Sequence, residues 1–152
     1  MIGLRRQIKT DDNSISLASL LEDIIATPEV LSRRYYVSRY KGSSVEDLAD
    51  GDFDRFSGPG APHIDASMVA ADLSRLREAS AKCEDFADKR VAHRDRREPK
   101  SLPTYNEVDA CIDLLDELFA KYQRVFHAKA SETLLPTWQY DWKSIFRTPW
   151  IP

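Results

Sequence analysis

Apolar side chains recur at three- and four-residue steps in four stretches of the chain, a spacing typical of amphipathic α-helices. The first stretch spans residues 16–26, with Ser14 or Ser16 as candidate N-cap. Its stripe consists of Leu17, Leu20, Leu21, Ile24 and Ile25. The second begins at Pro28, which suits the first helical position because its missing N–H needs no partner there. Its expected inward positions are Val30, Leu31, Tyr35 and Val37.

The third and fourth predicted helices are longer. The third runs over residues 66–93, with Val69, Leu73, Leu76, Cys83, Phe86 and Val91 on its expected buried side. Thr104 and Glu107 form the capping-box pattern Thr-x-x-Glu ahead of the fourth, which ends near Lys129. Its apolar positions at helical spacing are Val108, Cys111, Ile112, Leu115, Leu118, Phe119, Tyr122 and Val125. The connector between them is short and contains Pro99 and Pro103, so the two helices should be antiparallel neighbours.

Glycine and proline punctuate residues 42–62, which we expect to be the longest loop, with one short helical turn over 45–49. Strand signals are weak throughout. The pattern therefore predicts an all-α fold, a helical bundle of about four core helices. The 152 residues suit one domain, 1–152. All three tryptophans fall in an aromatic-rich C-terminal tail, 131–152, which should pack on the bundle or on a partner.

Composition narrows the function classes. A net charge of −3 is too small to imply a polyanion partner for the whole surface, so any nucleic-acid site must be a local patch. Neither a secretory signal nor an apolar run of roughly 20 residues is present, which predicts a soluble, cytoplasmic protein without membrane attachment. Cys83 and Cys111 form neither a disulfide framework nor a ligand cluster, and no pattern implies a metal or cofactor.

The candidate chemistry lies in the segment Asp88 to Asp95. Arg90 and His93 are three residues apart, so they share a helix face. An imidazole can take a proton from a ribose 2′-hydroxyl, and a guanidinium can hold the phosphate, without a metal. The neighbouring basic side chains that would contact RNA are Lys89, Arg94, Arg96 and Arg97. Alternatively, His93 is a structural partner of the helix end, and the cations are a solvated turn.

A second cluster combines Tyr35, Tyr36 and Tyr40 with Arg33, Arg34 and Arg39. Such tyrosines can stack on single-stranded bases. The interpretation we favour is that the tyrosines belong to the core or an interface, while the arginines extend along the surface.

Three stretches give the chain a resemblance to a known family. They are Arg5-Arg6-Gln7 followed by Ser14-Ile15-Ser16-Leu17, the Asp88 to Asp95 segment with its Val-Ala-His core, and Trp138-Gln139-Tyr140-Asp141-Trp142 with the closing Pro149-Trp150-Ile151. In these the chain resembles the abortive-infection, AbiU-like branch of the HEPN superfamily. The resemblance implies a small helical bundle that pairs as a homodimer, with an antitoxin as a further partner.

The resemblance also implies a metal-independent endoribonuclease whose signature is an arginine four to six residues ahead of a histidine. His93 matches the histidine, but the matching arginine positions hold Phe86, Ala87 and Asp88. Arg90 is too close to His93 for that spacing; Arg94 or an arginine of a second subunit could take its place. Family members also carry helix ahead of the Arg-Arg-Gln stretch, so residues 1–14 are expected to be flexible or the remainder of a truncated first helix.

Two functions follow as expectations. The first is an RNA-binding or RNA-cleaving protein of a toxin–antitoxin or antiphage system, with His93 as acid and base and Arg90 or Arg94 on the phosphate. The alternative is a catalytically inactive helical module for dimerisation or partner binding.

Overall fold

The computed structural model describes residues 2–10, 15–92, 98–133, 141 and 147. Within them, six α-helices follow one another: α1 (Ile2–Ile8), α2 (Leu17–Ala26), α3 (Arg33–Ser38), α4 (Ala49–Ser57), α5 (Ala66–Phe86) and α6 (Tyr105–His127). No strand occurs among these residues; a single antiparallel bridge joins Ser32 and His63. The prediction of an all-α bundle is therefore confirmed.

The long helix α5 is the centre of the bundle, because α1, α2 and α6 all pack against it. Leu21 of α2, Leu76 of α5 and Leu118 of α6 are completely buried at this junction. Each such side chain contributes about 1.5–3 kcal/mol relative to an exposed position. The predicted stripes of the first, third and fourth helices thus form one core, except that Ile112 of the fourth is 37% exposed.

Hydroxyl side chains set the starts of three helices. Ser16 Oγ accepts the Ser19 N–H at 3.0 Å at the start of α2, as the sequence predicted. Ser32 Oγ accepts the Tyr35 N–H at 3.3 Å and starts α3. The capping box of α6 is also confirmed, with reciprocal bonds between Thr104 and Glu107. Such caps contribute about 1 kcal/mol each.

The second predicted helix is broken. A short 3-10 turn, Pro28–Val30, ends at Leu31, and α3 begins only after Ser32. The break resets the helical register. Leu31 is buried as predicted, but Val30 and Tyr35 are 57% and 48% exposed, so their predicted burial was wrong.

The predicted loop over 42–62 contains a helix, α4, which the sequence analysis missed. Phe53 and Phe56 of α4 are buried against Tyr36 of α3, with ring centroids 5.3 and 6.0 Å away. Gly51 and the acidic residues weaken the local helix signal, but burial of two aromatic rings outweighs that weak preference.

The third predicted helix begins at Ala66 as expected but leaves α-geometry early. After Phe86 it continues as a π-helical turn, Ala87–Ala92. The wider turn changes which side chains face the core, and Val91 is 43% exposed where burial was predicted.

At its C-terminus α6 ends on Ala128, which adopts a left-handed conformation with φ 53°. The chain then returns along α6, because Thr133 Oγ1 donates to Asp116 Oδ2 at 2.6 Å. Most of the predicted aromatic tail lies outside the described residues. Among the described helices, none is both long and apolar enough to cross a membrane.

Candidate functional site

The π-helical turn that follows α5 carries two of the six predicted site residues, Lys89 and Arg90. Such turns are rare and are found frequently at functional sites. Because the extra residue widens the helix, the side chains after Phe86 point in directions that a continued α-helix would not give them.

Asp85 joins the π-helical turn to the start of the connector. Lys89 Nζ lies 2.7 Å from Asp85 Oδ1, and the backbone N–H of Lys100 donates to Asp85 Oδ2 at 2.8 Å. These two donors hold the pKa of the Asp85 carboxyl below its ordinary value, with the Lys89 bond the larger cause. Asp85 is therefore a carboxylate that fixes both ends of the segment 85–100.

Glu98 brings Lys89 and Arg90 together. Arg90 Nη2 donates to the Glu98 carboxylate, and Lys89 Nζ donates to the Glu98 backbone carbonyl at 3.2 Å. The Glu98 side chain is 79% exposed, whereas that of Arg90 is 33% exposed. The two predicted cations thus converge on an acceptor that solvent, or an anion from solvent, can reach.

Helix α1 holds the same turn from the other side. Arg5 Nε donates to Asp88 Oδ1, and the Arg5 side chain is mostly buried. Two residues later in α1, Gln7 Oε1 accepts the Leu17 N–H at 3.2 Å. The Arg5-Arg6-Gln7 stretch therefore contacts both the π-helical turn and the start of α2.

His93, Arg94, Arg96 and Arg97, the remaining predicted site residues, lie outside the described residues. Over the whole segment 85–100 the sequence has six basic and four acidic side chains. The sequence analysis named only the basic side chains and His93 as site residues, and it missed Asp85. The Asp85 and Lys89 positions, four residues apart on a helix, carried the signal for that pair.

His63 and the two cysteines, which lie outside the segment 85–100, have structural surroundings. His63 Nδ1 lies 3.1 Å from the Ile64 carbonyl, and Cys83 and Cys111 are completely buried. Burial raises the pKa of the Cys111 thiol to about 11 and also raises that of Cys83, which opposes thiolate chemistry. In the parts of the chain that the structure describes, no three metal-ligating side chains cluster.

The tyrosine and arginine cluster is divided between core and surface. Tyr36 is buried, and its hydroxyl bonds to Asp52 and lies 3.0 Å from that of Tyr40, so the core interpretation is confirmed there. Arg33 departs from the expected surface position. Its guanidinium is largely buried and bonds Asp54 Oδ1 at 2.6 Å and the Ala61 carbonyl at 2.7 Å.

A cavity of about 610 Å³ lies beside this cluster, lined by Tyr40, Asp52, Arg55 and Arg124 among others. The charges on its wall balance: Arg124 Nη2 lies 2.5 Å and Arg55 Nε 3.4 Å from Asp52 Oδ1, and Asp47 is the fourth charged group. The cavity offers polar and apolar surface without a net charge that would select an anion.

Comparison of the chain with protein-family models, with curated proteins and with solved structures finds no match.

Proposed function

We propose that this chain is a HEPN-type protein of a toxin–antitoxin or antiphage system that binds RNA, and cleaves it without a metal, through the segment 85–100. The observation that carries the proposal is the convergence of Lys89 and Arg90 on Glu98, in a π-helical turn that leads directly to His93. In the sequence, these two cations come three and four residues before a candidate acid–base group.

Binding would begin when an RNA phosphate replaces the Glu98 carboxylate at Arg90. An RNA phosphate competes with the exposed Glu98 carboxylate for the Arg90 guanidinium, whose fork suits phosphate as well as carboxylate. Lys89 adds a second positive charge near the same phosphate, because it also contacts Glu98. Because the turn is held by Arg5 and Asp85, the cations are positioned before RNA arrives, which lowers the ordering cost of binding.

Cleavage follows from His93. Its imidazole takes the 2′-hydroxyl proton, the 2′-oxygen forms a bond to phosphorus, and the bond from phosphorus to the 5′-oxygen breaks. A proton from an imidazolium then completes the 5′-hydroxyl product. A 2′,3′-cyclic phosphate remains on the other fragment. The guanidinium stabilises the charge that grows on the phosphate oxygens.

Exposed apolar side chains at the same end of the bundle support association. Val91, Leu102 and Tyr105 are 43%, 68% and 90% exposed where α5 leaves the core and α6 begins. Large exposed apolar residues that occur together mark interaction surfaces. We propose that a homodimer forms here, which would bring two His93 side chains together, with an antitoxin as a further partner.

A metal-free RNA cleavage assay in EDTA tests the enzyme. Wild-type protein should cleave single-stranded RNA, and His93→Ala should abolish cleavage while the helical circular dichroism signal is unchanged. His127→Ala is the matched control, because His127 is an exposed histidine at the opposite end of α6. Equal loss in both variants, or no cleavage by folded dimeric wild type, would refute the nuclease proposal.

A second function is favoured by the pairing of the described cations. Lys89 and Arg90 already bond to carboxylate or carbonyl oxygens of the chain itself, as in a purely structural turn. A dimer that neither binds nor cleaves RNA would support this alternative, a catalytically inactive module for dimerisation or partner binding. Gel filtration together with RNA binding at two salt concentrations separates the two functions.

A further inference from the structure

The cavity of about 610 Å³ beside Asp52 lies between α4 and the C-terminal end of α6, and no residue of the segment 85–100 lines it. Its volume falls within the roughly 300–1,000 Å³ of small-molecule sites. The lining combines apolar side chains, one tyrosine, two arginines and two aspartates, so its formal charges sum to zero. A ligand that suits this cavity should therefore be small, partly apolar and without net charge.

Two of the four charged side chains keep their polar atoms available. Asp52 accepts two hydrogen bonds from Arg124 and one from Tyr36, so these groups are used by the fold. Arg55 Nε only approaches Asp52 Oδ1, at 3.4 Å, and the Arg55 side chain makes no hydrogen bond among the described residues. Within the same part of the chain, the Asp47 carboxylate has neither a hydrogen bond nor an ion pair. One guanidinium and one carboxylate can therefore receive the opposite charges of a ligand.

Tyr40 adds a hydrogen-bond acceptor to the wall. The Tyr36 hydroxyl donates its proton to Asp52, and a hydroxyl has only one proton. The 3.0 Å contact between the Tyr36 and Tyr40 hydroxyls is therefore donated by Tyr40. Tyr40 lines the cavity, and the lone pairs of its oxygen are left to accept a hydrogen bond. An N–H group of a ligand can supply it.

The α4 side of the cavity is open to close contact. Leu48, Gly51 and Arg55 follow one another at steps of three and four residues, so they share one face. Leu48 is 68% exposed there. A Cβ at Gly51 would meet nothing within 4 Å, so alanine would fit and would be the better helix former. The glycine instead leaves the helix backbone bare, which is the usual arrangement where a ligand approaches the main chain closely.

The spacing of the two available charges sets the length of the ligand. Asp47 precedes Arg55 by eight residues, which corresponds to about 12 Å along a helix at 1.5 Å per residue. A free amino acid carries its ammonium and its carboxylate on one carbon atom, too close together to reach both. Three residues of extended chain span up to about 10 Å, and the two side chains cover the remaining distance.

We propose that this cavity binds a short apolar peptide of three residues as the free zwitterion. The N-terminal ammonium of the peptide pairs with Asp47, and its C-terminal carboxylate pairs with Arg55, whose guanidinium suits a carboxylate because it offers two parallel donors. A peptide N–H donates to Tyr40 Oη. An apolar side chain of the peptide covers Leu48 and removes its exposed surface from water.

Isothermal titration calorimetry of the full chain with the tripeptide leucyl-alanyl-leucine tests the site. Acetylation of the peptide's N-terminus removes the ammonium, and amidation of its C-terminus removes the carboxylate. Each blocked peptide should bind about tenfold more weakly than the free peptide, because each loses one charged hydrogen-bonded contact. Free leucine should bind more weakly than the free tripeptide, since it can reach only one of the two charges.

Two substitutions assign the ends of the peptide. In Arg55→Gln the free and the amidated peptide should bind equally, whereas acetylation should still weaken binding. In Asp47→Asn the free and the acetylated peptide should bind equally, whereas amidation should still weaken binding. Both side chains are exposed, so both variants should keep the circular dichroism spectrum of the wild type.

Gly51→Leu tests the α4 wall, because its side chain enters the space that the peptide needs, and it should lower the affinity several-fold. Gly3→Leu is the matched control: it makes the same change at an exposed position of α1 whose Cβ also meets nothing within 4 Å. It should leave the affinity unchanged.

The proposal is overturned if the folded wild type does not bind the free tripeptide, or if the blocked peptides or free leucine bind as tightly. It is also overturned if Arg55→Gln and Asp47→Asn discriminate between free and blocked peptides as the wild type does. A Gly51→Leu variant with unchanged affinity would place the peptide outside this cavity. None of these measurements involves RNA, so they are independent of the proposed nuclease.

Discussion

Arg124 near the end of α6 donates two hydrogen bonds to the carboxylate of Asp52 on α4, from Nε at 3.0 Å and from Nη2 at 2.5 Å. Tyr36 of α3 donates its hydroxyl to the same carboxylate. Asp52 thus joins three helices at one buried point. Burial, followed by the bond to Asp52, raises the pKa of Tyr36 well above its ordinary value, so its hydroxyl stays protonated as a donor.

Asp52→Ala should lower the free energy of unfolding by about 2–3 kcal/mol, because it leaves a partly buried guanidinium and a buried hydroxyl without their acceptor. Urea unfolding followed by circular dichroism measures the loss. Asp47→Ala is the control: Asp47 is exposed on the preceding 3-10 turn, and its removal should change stability by no more than about 0.5 kcal/mol. Equal losses would show that Asp52 does not join the helices.

The same region shows where sequence reasoning reaches its limit. The stripes of α2, α5 and α6 could be predicted because each helix is long enough for its periodicity to dominate. The nine residues of α4 are mostly polar and include Gly51. Its helix exists because Phe53 and Phe56 pack against Tyr36, a tertiary contact that no local pattern contains.

The candidate site was predictable to a similar extent. The basic residues and their place at the end of a long helix follow from the sequence. The π-helical turn does not follow from the sequence, and its contact with α1 joins Arg5 and Asp88, 83 residues apart. The ion pair of Asp85 with Lys89 has a spacing that the sequence shows. The bond from the Lys100 N–H to Asp85 does not follow from the sequence, because it joins the end of α5 to the connector.

Two glycines of the α4 region should respond to alanine with opposite signs. Gly58 ends α4 at φ 77° and ψ 166°, a conformation that costs an L-residue about 1–3 kcal/mol, so Gly58→Ala should destabilise by that amount. Gly51 lies inside the helix, and a Cβ there meets nothing within 4 Å. Gly51→Ala should stabilise by about 0.5–1 kcal/mol. Thermal unfolding measures both; destabilisation by Gly51→Ala would contradict the helical assignment of α4.

Glu107 should make stability depend on pH. The Lys82 ammonium and then the Thr104 N–H lower the pKa of its carboxyl from the ordinary 4.5 to about 2. Because the folded value is the lower one, the contribution is complete above about pH 4.5. It is lost as the pH falls towards 2, when the carboxyl becomes protonated.

Glu107→Gln should therefore be less stable than wild type at neutral pH and approach it at low pH. Unfolding midpoints measured at several pH values between 7 and about 2 test this expectation. Glu78→Gln is the control, since Glu78 is exposed on the neighbouring helix α5. A difference between Glu107→Gln and wild type that stays constant down to low pH would argue against the paired carboxylate.

Glu98 is expected to restrain RNA binding, because it occupies Arg90 and draws Lys89 to its carbonyl. Glu98→Gln removes the competing negative charge but keeps the side chain's size. RNA affinity should rise, and it should fall more steeply with salt because another cation is free to release a counterion from phosphate. Anisotropy of a labelled single-stranded RNA at several salt concentrations measures both effects.

Glu132→Gln is the control, because it makes the same change in net charge at an exposed position after α6. An equal rise in both variants would mean that only net charge matters, whereas a rise confined to Glu98→Gln would identify Arg90 as a group that RNA contacts.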